Sequence, residues 1–376
     1  MIAKNDVIDK ARELGFDDIG FTGVEPFDSQ LAYLDNENAH YDWTGTLGLT
    51  LRESTDPLKV MENGKSIIVL LHGYFTKKVP HSLSANYGRC YLTDDRVTKD
   101  GLALRIKAFR NYLRDNGIDS KLSKSMPDKL AAARAGVGTF GKNCLLFASR
   151  AVRGSSWISP VVMVVDREFE PDSPSVKTGC PDWCRSACVA ACPTRALAGN
   201  GKIDSTRCIS YLTYHGDGLT PLELREPMGM YIYGCDRCQN VCPRNQAWIS
   251  SDHHHDVMLD DMAEKFSARK ILSMDREYFV THIWPRMFYM SPADMWRWKM
   301  NAARALGNSL DPDSIPDLAR ALNNEEDERV KCMSAWALGR IGGQGAVAEL
   351  EKYLPVARGN LRTEIESAIK MASGII

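Results

Sequence analysis

The chain has 376 residues, with 47 Lys and Arg against 48 Asp and Glu, and 44% of its residues are hydrophobic. This is the composition of a globular protein, and it excludes a fibrous or largely disordered chain. The net charge of -1 gives no support to binding of nucleic acid or membranes through overall positive charge. At about 100 to 200 residues per domain, we expect two or three domains.

The N-terminal segment has no uninterrupted apolar core of the signal-peptide type. The longest strongly apolar runs, 66–71 and 158–165, fall far short of the roughly 20 residues that a membrane-spanning helix needs. We therefore expect a cytoplasmic protein with no membrane partner. In such a reducing compartment, clustered cysteines are metal ligands more often than disulfides.

The first section of the chain, residues 1–170, is predicted to mix helices and strands. Apolar residues recur at helical spacing over 6–14 and 102–113, and a glycine closely follows each stretch. Two short apolar runs, 67–71 and 161–165, predict buried strands. Strands that alternate with helices indicate an α/β or α+β domain.

Two further sections follow. Residues 171–250 are rich in cysteine and are entered through a Pro- and Ser-containing segment typical of a domain boundary. Residues 251–376 are predicted to contain a helical connector and then helical repeats. The stretches 301–307 and 333–339 match at an offset of 32 residues, which predicts a short solenoid of HEAT-like repeats packed on the preceding section.

Eight of the eleven cysteines lie within residues 180–242. The spacings Cys188-x3-Cys192-Pro and Cys235-x2-Cys238-x3-Cys242-Pro match the ends of two bacterial ferredoxin motifs, in which the cysteine before proline binds the other cluster. This exchange assigns one 4Fe-4S cluster, here called cluster one, to Cys180, Cys184, Cys188 and Cys242. It assigns cluster two to Cys208, Cys235, Cys238 and Cys192.

The main alternatives to two iron-sulfur clusters fit the cysteines poorly. A zinc ribbon uses four ligands rather than eight, and disulfides conflict with the expected compartment. The spacing Cys180-x3-Cys184-x3-Cys188 is one residue wider at each step than the usual ferredoxin motif. The other three cysteines, Cys90, Cys144 and Cys332, are expected to be small buried hydrophobic residues.

A glycine string lies upstream of the cysteines. Gly136, Gly138 and Gly141 form Gly-x-Gly-x-x-Gly and are followed by Lys142 and Asn143. Taken alone, this pattern is also that of a glycine-rich turn without a ligand, and no clear helix start follows it to indicate a dinucleotide-binding fold.

Several blocks of sequence, in this order, resemble the epoxyqueuosine reductases, which are cobalamin-dependent iron-sulfur proteins related to reductive dehalogenases. The blocks are residues 11–20, 64–70, 135–143, 208–213, 232–243 and 303–308. The resemblance extends over the whole chain. It implies an α+β fold with a nitroreductase-like cobalamin-binding domain, then a ferredoxin-like domain with two 4Fe-4S clusters, and a small HEAT-like domain that helps to hold tRNA.

The resemblance also implies an activity. Electrons from an external donor would pass through the clusters to cobalamin, and the epoxide oxygen of epoxyqueuosine in a tRNA anticodon loop would be removed while a nearby acid supplies a proton. In this interpretation the three glycines permit close backbone approach to cobalamin. Lys142 and Asn143 would bind the amides or the phosphate of the cofactor.

The chain departs from the family where the proton donor is expected. The family has Asp-Tyr-His where this chain reads Arg89-Cys90-Tyr91-Leu92, and Lys124 stands in place of the catalytic acid. Tyr91 and Lys124 are therefore predicted to be the proton donors, similar to the tyrosine and cationic neighbour of reductive dehalogenases. The alternative is a packed aromatic residue and a solvated lysine. Asp128 is expected to be a helix N-cap.

The substrate stays open at this stage. Residues 296–376 contain eleven Lys and Arg and eleven Asp and Glu, whereas a tRNA-binding surface needs positive charge. This weakens the prediction of tRNA as a partner. Three hypotheses follow: an epoxyqueuosine reductase-like enzyme, a related cobalamin-dependent reductase of a small molecule or of a corrinoid, and a non-catalytic iron-sulfur electron carrier.

Overall fold

The computed structural model describes residues 2–36, 41, 48–92, 101–123, 125–175, 179–287 and 290–374. The strands in these residues are β1 (Asp18–Thr22), β2 (Ser66–Gly73), β3 (Ser120–Leu122), β4 (Gly138–Phe140), β5 (Leu146–Ala148) and β6 (Ile158–Val165). The helices of the same section are α1 (Lys4–Glu13), α2 (Asp28–Asn36), α3 (Pro57–Val60), α4 (His81–Asn86), α5 (Arg89–Leu92), α6 (Gly101–Asp115) and α7 (Asp128–Arg134).

The remaining regular elements of the described chain are helices. The cysteine-rich section contains α8 (Ala187–Ala190), α9 (Ile209–Tyr214), α10 (Leu222–Arg225), α11 (Arg237–Asn240) and α12 (Pro243–Ile249). The following helices are α13 (Val257–Lys265), α14 (Ala268–Ser273), α15 (Arg276–Tyr278), α16 (Met295–Ser309), α17 (Ile315–Asn324), α18 (Glu328–Ile341), α19 (Gly343–Tyr353) and α20 (Gly359–Ala372). A π-helical turn, Phe279–Ile283, follows α15.

Four strands form an antiparallel sheet in the order β1-β2-β6-β3, and β4 and β5 pair separately. In the sheet, Ile67 pairs with Val164 and Ile68 with Met163. Since successive side chains of a strand point to opposite faces, Ile67 and Val164 pack with α7, whereas Ile68 and Met163 pack with α1 and α6. The sheet is thus buried on both faces, and α7 covers the face nearer the cysteines.

The predicted helices and strands of the first section are confirmed. The apolar runs 67–71 and 161–165 lie in β2 and β6, and the two amphipathic stretches lie in α1 and α6. Mixed helix and sheet, followed by a cysteine-rich section and helical repeats, agrees with the predicted α+β class. The predicted domain limits of 1–170, 171–250 and 251–376 stay predictions.

The matching stretches near the C-terminus mark close contacts between helices. A Cβ atom at Gly307 of α16 would lie 2.8 Å from the Cα atom of Ala337 in α18. A Cβ atom at Gly339 of α18 would lie 2.7 Å from the Cα atom of Ala368 in α20. Glycine at these positions lets successive helices approach closely, which explains why the sequence repeats there.

Buried polar contacts join the repeat helices to the cysteine-rich section. The guanidinium of Arg304 is fully buried and donates to the carbonyl oxygens of Gly229, at 2.7 Å, and Tyr231. Arg225 donates to both carboxylate oxygens of Glu364 at 2.8 and 2.9 Å. The repeats therefore pack on the preceding section, as expected for a solenoid too short to bury its own core.

Candidate active site

The eight clustered cysteines separate into two groups of four in the structure. The first group surrounds one small cavity together with Lys142 and Arg244, and its members are Cys180, Cys184, Cys188 and Cys242. The backbone N–H of Lys142 donates to the Sγ atom of Cys180 at 3.3 Å, and its Nζ atom donates to the carbonyl oxygen of Cys184 at 3.3 Å. These are the residues predicted for cluster one. Lys142 contacts this group and does not line the larger cavity described next.

The second group lines a larger cavity of about 340 Å³, here called the central cavity. The cysteines are Cys192, Cys208, Cys235 and Cys238, the residues predicted for cluster two. The backbone N–H groups of Ala196 and Arg237 donate to the Sγ atoms of Cys192 and Cys235 at 3.3 and 3.5 Å. Such N–H···S hydrogen bonds tune the reduction potential of a bound iron-sulfur cluster.

Five of the eight thiols are poorly solvated. Burial raises the pKa of Cys235 to about 12 and also raises the pKa of Cys188, Cys208, Cys238 and Cys242. Buried thiols stay neutral until a metal displaces their protons. Among the described residues, no three His, Cys, Asp or Glu side chains are placed to hold a single metal ion. Four thiols around one space are instead the donor set of a polynuclear iron-sulfur cluster.

The remaining wall of the central cavity comes from the sheet side of the molecule. It is formed by residues near β2, α5, α7, β5 and β6, and includes Tyr74, Cys90, Tyr91, Lys129, Asn143, Ser156 and Ile158. The cavity therefore lies between the first section and the cluster-two cysteines. A concave, mainly apolar space with a few polar groups is typical of a small-molecule or cofactor site.

Tyr91 lines the central cavity, and close packing against the backbone holds its ring there. Its predicted role as a proton donor stays a prediction. Its ring lies edge-on to Tyr233, with 4.8 Å between the ring centroids. A Cβ atom at Gly234, whose φ is +72°, would lie 2.5 Å from the Cε2 atom of Tyr91. Gly234 precedes Cys235, so the tyrosine ring packs directly on the loop that carries a cluster-two cysteine.

Arg89, two residues before Tyr91, fixes α5 to the same loop. Its Nη1 atom lies 2.8 Å from the Oδ2 atom of Asp236 and also donates to the Oδ1 atom of Asn240 at 2.8 Å. The guanidinium lies over the rings of Phe75 and Trp157, 4.9 and 5.2 Å from their centroids. The sequence indicated Arg89 only as a departure from the family. Its contact with Asp236, 147 positions away, shows that it ties α5 to the loop that carries the cysteines.

Tyr74 and Gln239 form a second polar link across the cavity wall. The Nε2 atom of Gln239 donates to the Tyr74 hydroxyl at 3.0 Å and to the carbonyl oxygen of Ser156 at 3.1 Å. Burial raises the pKa of Tyr74 well above its ordinary value, so this phenol stays protonated. Neither residue stood out in the sequence, because their contact spans 165 positions.

Asn143 is the predicted cofactor-binding residue that faces the central cavity. It is 4% exposed, and its Nδ2 atom has no hydrogen-bond partner within the described part of the chain. A buried amide donor without a partner costs about 1–3 kcal/mol, so a bound ligand with an acceptor oxygen would be favoured at this point.

The three glycines before Asn143 do not line the central cavity. A Cβ atom at Gly136 would overlap the carbonyl oxygen of Ser173, and one at Gly138 would lie 2.7 Å from the Leu146 side chain. At Gly141 it would overlap the Phe147 ring. Packing within the chain explains these glycines, and close approach to a cofactor stays a prediction.

The start of α7 carries two ionisable residues, Asp128 and Lys129. Lys124 lies outside the described residues, so its predicted role as a proton donor stays a prediction. Lys129 lines the central cavity. Pro127, and not Asp128, is the N-cap of α7, and no side-chain hydrogen bond caps this end. The expectation for Asp128 was therefore wrong, since Asp128 occupies the first helical position instead.

The three cysteines outside the two groups differ in how deeply they are buried. Cys332 is buried in the repeat helices, as expected, whereas Cys90 and Cys144 are half-buried and Cys90 lines the central cavity. Three consecutive histidines occupy residues 253–255, and the ring of His253 stacks on Phe75 with 4.4 Å between the ring centroids. The structure contains no helix, among its described residues, with the length and apolarity to cross a membrane.

Comparison with known families agrees with this arrangement. Residues 181–245 match the 4Fe-4S double cluster binding domain, and residues 293–370 match HEAT repeats. Both matches confirm predictions made from the cysteine spacing and from the repeated stretches. The two groups of cysteines beside a cavity and the double-cluster match define an iron-sulfur redox protein.

Relatives that match over nearly the whole chain identify the family within this class of redox proteins. Over 359 residues the chain is 32% identical to an epoxyqueuosine reductase of Staphylococcus aureus, covering 91% of this chain and 90% of that protein. It is 32% identical to an epoxyqueuosine reductase of Listeria monocytogenes, with 93% and 92% covered. The chain belongs to the epoxyqueuosine reductase family.

A solved structure is also similar over nearly the whole chain. It is an epoxyqueuosine reductase with an epoxyqueuosine-modified tRNA-Tyr stem loop, at a TM-score of 0.82 and 27% identity, covering 98% of each chain. The similarity therefore includes the repeat helices as well as the sheet and the cysteine-rich section.

Proposed function

We propose that this protein is an epoxyqueuosine reductase that converts epoxyqueuosine in tRNA to queuosine. The observation that carries the proposal is the central cavity, which has the cluster-two cysteines on one wall and Tyr91, Lys129 and Asn143 on the other. An external donor provides two electrons, and two protons are consumed. The epoxide oxygen leaves as water and a carbon–carbon double bond remains.

The two groups of cysteines are assigned as the ligands of two 4Fe-4S clusters, and cluster two would lie beside the central cavity because its cysteines line it. Lys142, which follows the glycine string, contacts two of the cysteines assigned to cluster one. Clusters held by these cysteines would supply electrons from the external donor to the central cavity, which the cluster-two cysteines line. We infer a cytoplasmic location, where reduced thiols assemble such clusters.

The lining of the central cavity agrees in its chemistry with the cobalamin that the family resemblance implies. Its walls are mainly apolar, it adjoins the cluster-two cysteines, and Asn143, whose Nδ2 atom has no partner among the described residues, would be available to donate to an acceptor oxygen of the bound cofactor. When bound, cobalamin supplies the low-potential metal chemistry that breaks the carbon–oxygen bond. The chain's own contribution is to hold the substrate, exclude water and supply protons.

The protein that is similar over the whole chain was solved with a modified tRNA stem loop, and this supports tRNA as the substrate. The balanced charge of residues 296–376 weighs against a strongly basic surface. Neutral net charge is compatible with a local basic stripe, because phosphate contacts depend on the arrangement of charges as well as on their sum.

Anaerobic reconstitution with iron, sulfide and cobalamin, followed by a single-turnover assay on tRNA carrying epoxyqueuosine, tests the proposal. We expect queuosine to form, detected by mass spectrometry of the digested tRNA. Absence of conversion by protein with loaded clusters and bound cobalamin would contradict it and favour a small-molecule substrate. Absence of cobalamin binding would instead favour an electron carrier.

A further inference from the structure

Lys129 lies between two cavities at the start of α7. It lines the central cavity, and it also lines a neighbouring surface cavity of about 350 Å³. The other residues of the surface cavity are Gln30, Met126, Pro127, Asp128, Leu130 and Phe140. Lys129 therefore connects the proposed reaction space to a second space that Asp128 shares.

The ammonium group of Lys129 is held by one contact and is otherwise available. Its Nζ atom donates to the carbonyl oxygen of Cys144 at 3.1 Å, and within the described part of the chain it forms no ion pair. An ammonium has three N–H donors, so two remain for water or substrate. The residue as a whole is exposed, but the protein around its amino group desolvates the ammonium form and lowers the pKa of Lys129, which makes the group a stronger acid than an ordinary lysine.

The carboxyl group of Asp128, next to Lys129 in the chain, is poorly solvated. Its Oδ1 atom is buried and has no hydrogen-bond partner within the described residues. It lies on the same helical face as Ala131 and Ala132, which are fully buried. Burial raises the pKa of Asp128 to about 7, so near neutral pH the group both holds and releases a proton.

Building on the proposed function, we propose that Lys129 is the catalytic acid that protonates the epoxide oxygen, and that Asp128 resupplies its proton from the surface cavity. As the carbon–oxygen bond breaks, the oxygen takes a proton from the Lys129 ammonium and Lys129 becomes a neutral amine. The acid form of Asp128 then returns a proton to Lys129. Asp128 takes up a proton from water in the surface cavity, and a second transfer from Asp128 through Lys129 to the oxygen completes the water molecule. The two electrons come from the external donor.

Other titratable and charged groups also face Lys129 or line the same cavity. They are Asp128, Cys144, Tyr74, Cys90, Tyr91, Asp236, Arg237 and the cluster-two cysteines. Asp236 is paired with Arg89, and iron would bind the cluster-two cysteines in the loaded enzyme. The negative charge of Asp128 favours the ammonium form of Lys129, so removing this charge lowers the pKa of Lys129 further.

Single-turnover rates of reconstituted Lys129→Met, Lys129→Arg and Lys121→Met test the assignment. Lys121 is exposed on β3 and is the matched control. We expect both Lys129 variants to react about 100-fold more slowly or worse, the usual contribution of a general acid, with cluster spectra and bound cobalamin unchanged. Lys121→Met should react like the wild type. A near-normal rate for Lys129→Met, or for Lys129→Arg, which keeps the charge but does not release protons, would overturn the role of acid.

A titration independent of activity separates this inference from the proposed function. After reductive ¹³C-methylation, the lysine resonance that Lys129→Met lacks should titrate below the ordinary lysine value of about 10.4. In Asp128→Asn the Lys129 resonance should titrate at a still lower pH. As the pH rises, the single-turnover rate of this variant should begin to fall at a correspondingly lower pH than that of the wild type. A Lys129 pKa near the ordinary lysine value of about 10.4 would overturn the inference. Failure of wild-type protein to convert tRNA would count against the proposed function, and the titration would then decide the inference alone.

Discussion

Arg89 and Asp236 form an almost fully buried ion pair, with 2.8 Å between the Nη1 and Oδ2 atoms and side-chain exposures of 12% and 2%. The Arg89 backbone N–H donates to the same carboxylate at 2.9 Å. This pair joins the helix that ends beside Tyr91 to the loop between Cys235 and Cys238. It therefore sets the distance between the cavity wall and the proposed cluster two.

Arg89→Met is expected to lower the free energy of unfolding by about 3–5 kcal/mol, because it leaves the Asp236 carboxylate buried without its partner. Urea denaturation under anaerobic conditions measures this change. The control is Arg114→Met, which breaks a pair with Asp115 in which both side chains are 65% exposed, and it should cost less than about 1 kcal/mol. Equal losses in the two variants would contradict the prediction.

Cys242→Ser and Cys235→Ser are expected to remove different clusters. Cys242 lies with the first group of cysteines and Cys235 with the second, so each variant should keep one 4Fe-4S cluster of the two. Iron and sulfide analysis gives the number of clusters, and electron paramagnetic resonance distinguishes which one remains. Cys332→Ser, in the repeat helices, should keep both. Identical spectra from the first two variants would contradict the division into two groups.

Gly307→Ala is expected to destabilise the protein by about 1–3 kcal/mol, because the added methyl group would overlap Ala337 in the next helix. Thermal unfolding followed by circular dichroism measures the effect. Gly345→Ala is the control, since its Cβ atom would meet nothing closer than the Ile315 side chain at 3.9 Å. Helix propensity favours alanine over glycine by up to about 1 kcal/mol, so that variant should be neutral or more stable. A stabilised Gly307→Ala protein would disprove the close helix contact.

Asp128→Asn is expected to stabilise the protein at pH 8 more than at pH 5. Burial raises the pKa of Asp128 from 3.8 to about 7, so the folded state holds a proton that the unfolded state has lost between these values. Stability therefore falls as pH rises through this window, by up to about 4 kcal/mol. Asparagine carries no charge and removes this loss.

Urea denaturation of the wild type and Asp128→Asn at both pH values gives the difference. Asp9→Asn, on the exposed surface of α1, is the control and should show the same difference from wild type at pH 5 and pH 8. A stability difference between wild type and Asp128→Asn that does not change with pH would show that Asp128 is solvated in the folded protein.

The sequence alone determined the features that depend on spacing along the chain. The short intervals between cysteines divide them into two groups, because thiolates that share a cluster must be brought together by a tight loop and a returning cysteine. Apolar periodicity located the strands β2 and β6 and the helices α1 and α6. The repeated Ala-Leu-Gly stretches located the repeat helices, since a close helix contact needs glycine at a fixed place in each repeat.

Only the tertiary structure decided which polar side chains meet at the central cavity. Arg89 and Asp236 are 147 positions apart, and Tyr74 and Gln239 are 165 apart, so no local pattern predicts these contacts. The run of alanines after Asp128 did carry a signal, because residues 128, 131 and 132 share a helical face. The position of Lys129 between two cavities depends on how α7 packs against the sheet and the cysteine-rich section, which is a property of the whole fold.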